Sequence, residues 1–345
     1  MTTTAKIAAI GGAVALLAVG SFFVLRGGAE DIPGLGRVFK AATCPLSGEK
    51  PESEALLDRP AVAVKVENAA IAYPLSGLED AEIVYEEVVE GGVTRFMALY
   101  HCVDSDKVGP VRSARIVDPA IMLPATRILA FSGANAPVLD ALEKAEVVSV
   151  TEADAGEAMR RVERVGLPAE HTLYADTALV RKVGAKQFED APSDEQFLFG
   201  DLDGASKKAA SVEINFSGAS IIQYQFAKGG WLRSQGGSPF MDEAGDQIAV
   251  DNVLIEEHEV NLSETITDVA GNPSVEIANE TGSGRAVLLR DGRAIEGRWS
   301  RDSLDEGVSF ETKAGDPMIF APGSIWVHLV PSDKGDVKGS FDYAN

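Results

Sequence analysis

The spacing of apolar residues changes character near the middle of the chain. In the first half, apolar runs at 61–66, 82–88, 94–102, 127–131 and 146–150 predict strands. Amphipathic stretches lie between some of them. Asp118 followed by Pro119 reads as an N-cap and first-turn pair, Pro137 opens a helix running to Lys144, and 176–183 carries another helical pattern. Strands alternating with helices predict an α/β sandwich, a mixed sheet with helices, over 44–195. From about Val212 the runs shorten and turns punctuate them: 221–226, Gly229 and Gly230, 231–233, 247–255, 286–290, the Asp291–Gly292 hairpin turn, 294–299 and 324–330. These predict a β-rich C-terminal domain over 205–340, after a boundary near 190–210. No internal repeat is present.

The other strong pattern is an uncharged run from Ile7 to Leu25. As a helix it reaches roughly 28 Å, which matches a bilayer core. It predicts a single transmembrane helix within 1–29, followed by a turn-rich linker over 30–43. Lys6 before the run, with Arg26, Glu30 and Asp31 after it, favours a cytoplasmic N-terminus with the bulk of the chain on the extracytoplasmic side. A signal peptide cleaved after Ala29 is the rival reading; the length of the run favours an uncleaved anchor. No cysteine ends the apolar run, and Cys44 lies too far downstream to accept a lipid.

Charge narrows the classes of partner. The 345 residues carry 53 acidic against 31 basic side chains, a formal −22. Lys6 and Arg26 are the only charges in 1–29, so the remainder is more negative still. Such a field disfavours nucleic acid as a partner but leaves room for a small anion in a local arginine cluster. Cys44 and Cys102 both fall in the expected oxidising compartment, where a pair usually means a disulfide.

Candidate chemistry gathers between 82 and 118, where charges stand beside glycines at strand ends. The run Glu82-Ile-Val-Tyr-Glu-Glu-Val-Val-Glu-Gly-Gly-Val-Thr-Arg95 is followed by Gly109-Pro-Val-Arg-Ser-Ala-Arg115 and Asp118. With Arg59-Pro-Ala-Val-Ala-Val-Lys-Val-Glu-Asn68 and Ala72-Tyr-Pro-Leu-Ser-Gly-Leu78, these motifs closely resemble the YerB-like family over about 45–335. Members are bacterial membrane-anchored proteins whose domains are classed as of unknown function. Ala69 and Phe131 stand where relatives often carry His, and Tyr73 where they often carry Arg. His171, in Pro168-Ala-Glu-His-Thr-Leu-Tyr174, resembles the family's P-H-N-L-Y element, with Thr172 in place of Asn.

Arg95, Arg112 and Arg115, with Arg160, Arg161 and Arg164 further on, present planar forks suited to carboxylate or phosphate. They could converge on an anion, or pair with Glu86, Glu87, Glu90 and Asp118. Strand alternation sets Glu82 and Glu86 on the face opposite Glu87, so only some of these acids can act together. No D-x-D-x-D loop, G-x-S-x-G elbow, lysine-bearing phosphate loop or dinucleotide fingerprint occurs, so no metal, cofactor or catalytic residue is assigned. Gly91 and Gly92 read as a tight turn. His101, His258 and His328 fall on strand patterns without shared spacing and read as structural.

The expected ligand-binding set is Asn68, Glu86, Glu90, Thr94, Arg95, Arg112, Ser113, Arg115, Asp118 and His171. The function read from it is a membrane-anchored cell-envelope protein, non-catalytic, holding an anionic wall component or an envelope protein. Two alternatives stand beside it. One is an enzyme on phosphate-containing lipid-linked wall precursors, on a loose resemblance to the arginine-lined sheet of LytR-type ligases. The other is a scaffold for wall-synthesis or division proteins.

Overall fold

The computed structural model describes residues 42–193, 196–202, 204–268 and 271–345, with the backbone of 29–32 and 36–39 in addition. Those two stretches, Ala29–Ile32 and Gly36–Phe39, pair antiparallel, so the segment expected as an unpatterned linker carries a hairpin, with Pro33 and Gly34 between its strands in sequence. The run 7–25 lies outside the described residues. Among the described residues no helix is long and apolar enough to cross a membrane.

From Ala42 onward the chain forms one unit. Its first half supplies β1 (Val62–Val66), β2 (Ile83–Val88), β3 (Thr94–Tyr100), β4 (Ile128–Phe131) and β5 (Val148–Thr151), each within two residues of its expected bounds. The second half supplies β6 (Ser211–Ser217), β7 (Ser220–Ala227), β8 (Gly230–Gln235), β9 (Asn252–His258), β10 (Gly282–Arg290), β11 (Arg293–Arg301), β12 (Ile325–Pro331) and β13 (Ser340–Ala344). Three α-helices lie between the first strands and after them: α1 (Asp118–Met122), α2 (Ala136–Lys144) and α3 (Thr177–Gly184). Asn135 caps α2 by accepting from Val138 N at 3.1 Å, and Asp176 caps α3 by accepting from Leu179 N at 3.0 Å.

The halves share a sheet. Its order is β11-β10-β9-β12-β2-β3-β1-β4-β5, and Lys207–Lys208 and Ser309–Thr312 both pair with β11 to make eleven strands. The seam between the halves is the parallel pairing of β12 with β2, from Ile325↔Ile83 to Leu329↔Glu87. Strands so placed are buried on both faces, which is why β1, β2 and β3 read as nearly continuous apolar runs rather than alternating ones.

Alternation divides the core into two layers. One face of the central sheet packs Val64, Val84, Phe96 and Trp326 against Ile214, Phe216, Ile222 and Trp231 of a six-stranded antiparallel sheet built on β8, β7, β6 and β13. The opposite face packs Ala63, Tyr85, Met97 and Leu129 against Ile121 and Met122 of α1, Val138 and Leu142 of α2, and the aromatic group Phe197, Phe310 and Phe320. The result is sheet-rich and mixed, with helices covering part of one side.

Cys44 and Cys102 form the expected disulfide, closing a sequence separation of 58 residues and tying the segment before β1 to the end of β3 beside Leu57. Loop-closure entropy for that length assigns the bond about 4 kcal/mol. Cys44→Ser/Cys102→Ser is therefore expected to lose about 4 kcal/mol in urea unfolding, within the usual range of ~2–5 kcal/mol. Thiol titration of the denatured, unreduced wild type should find no free thiol; two free thiols would contradict the bond.

Candidate functional site

Six strands, β1, β2, β4, β5, β9 and β12, run in one direction, so their carboxyl ends share an edge. Loops at such an edge are where α/β sheets place ligands. The segment 109–115 is laid across it by backbone bonds: Glu67 N donates to Pro110 O at 3.0 Å, Arg112 N to Lys65 O at 2.9 Å, Ser132 N to Arg112 O at 2.9 Å and Ala114 N to Gly133 O at 3.0 Å. The expected residues of 86–118 thus meet here, but alternation splits them between two faces.

On the face toward the second sheet lies Glu86, fully buried. Its Oε1 accepts from Thr94 Oγ1 at 2.7 Å, Asn68 Nδ2 at 3.1 Å and an Arg233 Nη at 3.1 Å. Its Oε2 lies 3.1 Å from the other Arg233 Nη and 3.1 Å from His328 Nδ1. Neither Glu86 Oε2 nor His328 Nδ1 meets the geometry of a hydrogen bond, so the Arg233 contact is an ion pair by distance and the His328 contact a close polar approach. Arg233 also donates to Tyr224 Oη at 3.2 Å, and Tyr224 Oη lies 3.1 Å from His328 Nε2. The guanidinium sits among Phe240, Trp326, Phe96 and Tyr224, 4.7 to 5.8 Å from their ring centres. Burial alone would raise the Glu86 pKa; Arg233, aided by His328 and Thr94, outweighs it and holds the carboxyl at about 2. Burial holds His328 below its usual range. Of the expected set, Glu86 thus pairs with Arg233, and Asn68 and Thr94 bond Glu86, with their polar groups turned inward.

The opposite face carries the remaining acids and bases. Lys65, fully buried, meets Glu87 and lies 2.5 Å from Asp118 Oδ1. Burial pushes the Glu87 carboxyl up, against the attraction of Lys65. Asp118 does not cap α1 as its sequence position implied: its Oδ2 accepts from Arg115 N at 2.7 Å, and Val117 stands at the cap position without a side-chain bond. Lys65 is the stronger offer, because an unpaired buried ammonium costs more than an open helix end on a short, five-residue helix.

The arginines divide. Arg112 bonds Glu67 Oε1 at 2.8 Å, and the other oxygen of Glu67 lies 2.5 Å from His171 Nδ1. Arg115 bonds Glu90 Oε2 at 2.9 Å, and Ser274 Oγ donates to Glu90 Oε1 at 3.1 Å. Arg161 pairs with Glu152, and Arg164 donates to the carbonyls of Ala72 and Tyr73, so neither joins the cluster. Arg95 is 8% exposed and donates to Ser113 O at 3.3 Å; among the described residues no carboxylate lies within ion-pair distance of it. Burial, then the charges of Arg115 and Arg112, lower its pKa to about 9. Ser113 takes part through its carbonyl, which also accepts from Arg115 at 3.4 Å. Beyond this edge, Phe131, Ser132, Gly133, Leu139 and Thr151 line an open groove.

Tyr224 and Arg233 had no place in the sequence reading, Lys65 and Glu67 entered it only within the family motif, and His328 was read there as structural. Lys65 carried a usable signal, a single charge inside a fully apolar strand. Arg233, the ion-pair partner of Glu86, carried none, since it is 147 positions away.

Fold and edge together define a sheet-rich protein of two interlocked chain segments, with a basic cluster at the carboxyl edge of a mixed sheet. The chain belongs to the YerB-like family: the profile described as "Protein of unknown function (DUF3048) N-terminal domain" matches 46–191, and that of its C-terminal domain matches 212–327. It is 28% identical over 312 residues to "Putative lipoprotein YerB" of Bacillus subtilis (strain 168), covering 88% of this chain and 89% of that one. The crystal structure of the YerB protein from Bacillus subtilis superposes with a TM-score of 0.71 at 26% identity, covering 87% of this chain and 99% of that chain.

Removing one member of a buried ion pair costs about 3–5 kcal/mol, so Glu86→Gln should destabilise the protein by that order. Because the folded carboxyl is held at about 2, below its ordinary 4.5, its stabilisation is present above the ordinary value and is lost as pH falls toward 2. The gap in urea midpoint between wild type and Glu86→Gln is expected to narrow as pH is lowered through this window. A gap independent of pH would show that Glu86 is not held ionised by Arg233.

Proposed function

We propose that this is a membrane-anchored, extracytoplasmic cell-envelope protein that binds an anionic ligand at Arg95, between Arg112 and Arg115. The supporting observation is the state of Arg95. A guanidinium more than nine-tenths buried, lacking a carboxylate in a chain of formal charge −22, leaves donors and positive charge to be met from outside. Glu90, Asp118 and Ser113 hold the neighbouring arginine in place, and Glu67 with His171 holds Arg112. The name of the Bacillus relative as a lipoprotein, the apolar run 7–25 and the Cys44–Cys102 bond support the location.

An enzyme acting on phosphate-containing lipid-linked precursors is the second reading. One feature favours it: His171 held by Glu67 beside Arg112 has the form of a base oriented by a carboxylate. Turnover of a prenyl-pyrophosphate analogue, lost in His171→Gln, is the result that reading expects.

Titration with inorganic phosphate, followed by thermal unfolding, tests the anion site. The midpoint should rise, corresponding to about 2.7 kcal/mol of stabilisation at a hundredfold excess over Kd. The rise should vanish in Arg95→Met and persist in part in Arg95→Lys. An equal rise in Arg95→Met would overturn the assignment, and no rise with phosphate, carboxylates or wall fragments would turn the reading to protein partners.

A further inference from the structure

Where the segment before β1 is tied to the end of β3, the groups around the two sulfurs are of the kinds that hold a metal ion. Cys44 opens a tight turn, its carbonyl accepting from Ser47 N and Gly48 N at 3.3 and 2.7 Å, so the backbone that carries its sulfur is fixed. His101 and Cys102 follow β3 directly. Glu82, one residue before β2, reaches across to them: its Oε2 accepts from the backbone N of His101 and, at 2.8 Å, from that of Cys102. One ligand atom each of Cys44, Glu82 and Cys102 thereby lie within 4.8 Å of one another. His101 completes the group. Its Nδ1 lies 3.7 Å from Cys102 Sγ, and its Nε2 lies 2.9 Å from the carbonyl oxygen of Arg59. A carbonyl only accepts, so Nε2 carries the proton and Nδ1 presents its lone pair on the side of the sulfur. A backbone carbonyl that fixes the far ring nitrogen in this way is the usual support of a metal-ligating histidine.

Two thiolates, an imidazole and a carboxylate make a tetrahedral set for Zn²⁺, with Zn–S about 2.3 Å and Zn–N about 2.0 Å. Tetrahedral angles then put a sulfur and a nitrogen about 3.6 Å apart and the two sulfurs about 3.8 Å apart. The approach of His101 Nδ1 to Cys102 Sγ, 3.7 Å, already meets the first distance. The second asks each sulfur to travel under about 1 Å from a disulfide's ordinary ~2.0 Å separation, which side-chain rotation supplies at a Cα–Cα separation of 6.0 Å. One negative charge is left over when two thiolates and a carboxylate surround a dication. Arg59 and Arg181 both donate to His101 O, at 2.6 and 3.4 Å, and so place positive charge beside it. We propose that the reduced protein binds one Zn²⁺ through Cys44, Cys102, His101 Nδ1 and an oxygen of Glu82, so that disulfide and metal are alternative ties at the same place. Passage from metal to disulfide balances with a small-molecule disulfide as oxidant. One thiolate attacks it and expels its first thiolate, the second attacks the mixed disulfide and expels the other, the Cys44–Cys102 bond forms and Zn²⁺ leaves. The site is independent of Arg95 and of the anion reading.

The test uses untagged residues 42–345, which contain both sheets, all three apolar clusters and the disulfide. The protein is reduced with a phosphine and titrated with Co²⁺, whose visible d–d bands report tetrahedral geometry and whose near-ultraviolet charge-transfer band reports thiolate ligation. One equivalent is expected to saturate both in the reduced protein, and the disulfide form is expected to show neither. Zn²⁺, which meets no ligand-field penalty in a tetrahedral site, should displace the cobalt. His101→Ala and Glu82→Gln should each weaken Co²⁺ binding at least about tenfold, and Cys44→Ser/Cys102→Ser should abolish the charge-transfer band. If reduction alone removes the near-ultraviolet circular dichroism of the fold, Zn²⁺ is expected to restore it. Oxidised glutathione should release the ion as the disulfide re-forms. Absence of the charge-transfer band from reduced protein would overturn the proposal, as would a reduced, unfolded chain that Zn²⁺ leaves unfolded. So would wild-type affinity in both His101→Ala and Glu82→Gln, which would mark two thiolates gathering metal without a built site, or metal retained after the disulfide has re-formed.

Discussion

The carboxylate of Glu86 is the constraint on which the joining of the two chain halves depends. It stands on β2 at the seam where the central sheet passes from one half to the other, and β8 of the second sheet delivers Arg233 to it while β12 delivers His328. A buried carboxylate without its guanidinium, or the reverse, is strongly unfavourable. Seam pairing and sheet-on-sheet packing therefore form together: without the second sheet Glu86 would lie unpaired against Phe96 and Trp326, and without the seam His328 would not reach it. The aromatic wall around Arg233 excludes the water that would otherwise weaken the pair. Family profiles divide the chain into an N-terminal and a C-terminal segment, yet energetically each segment supplies what the other must bury.

Much of this was legible in the residues, and what was not has a common cause. The first five strands announced themselves because burial on both faces makes a strand continuously apolar, and Pro137 and the pattern from Asp176 marked two helices, which the structure caps with Asn135 and Asp176. Period-two alternation alone separated Glu86 from Glu87, and the structure sends them to opposite faces. Side-chain partners were hidden wherever they came from distant strands. Glu86 looked like a ligand residue because Arg233 and His328 are not neighbours in sequence, and Asp118 looked like a helix cap because Lys65 was not weighed as a buried charge needing an acid. Lysine in the strand Val62–Val66 was the one clue to a long-range pair that the sequence offered.

The same bookkeeping explains why Arg95 stands out. Arg164 and Arg301 also bond no carboxylate, but two and four backbone carbonyls respectively accept from them, whereas the buried Arg95 has the one carbonyl of Ser113. Arg112 and Arg115, from the same short segment, each found a carboxylate in Glu67 and Glu90. Arg95 lies on β3, where its neighbours across the sheet are Glu87, engaged by Lys65, and the 109–115 segment, which offers it a carbonyl. Its position is set by the strand, and its charge is left over by the pairing around it.

The most direct measurement is anomalous diffraction from crystals of residues 42–345 soaked in bromide. A bromide peak within hydrogen-bonding reach of the Arg95 guanidinium, flanked by Arg112 and Arg115, is the predicted result. Bromide bound elsewhere with none at Arg95, or a carboxylate folded onto Arg95 in its place, would contradict the anion site.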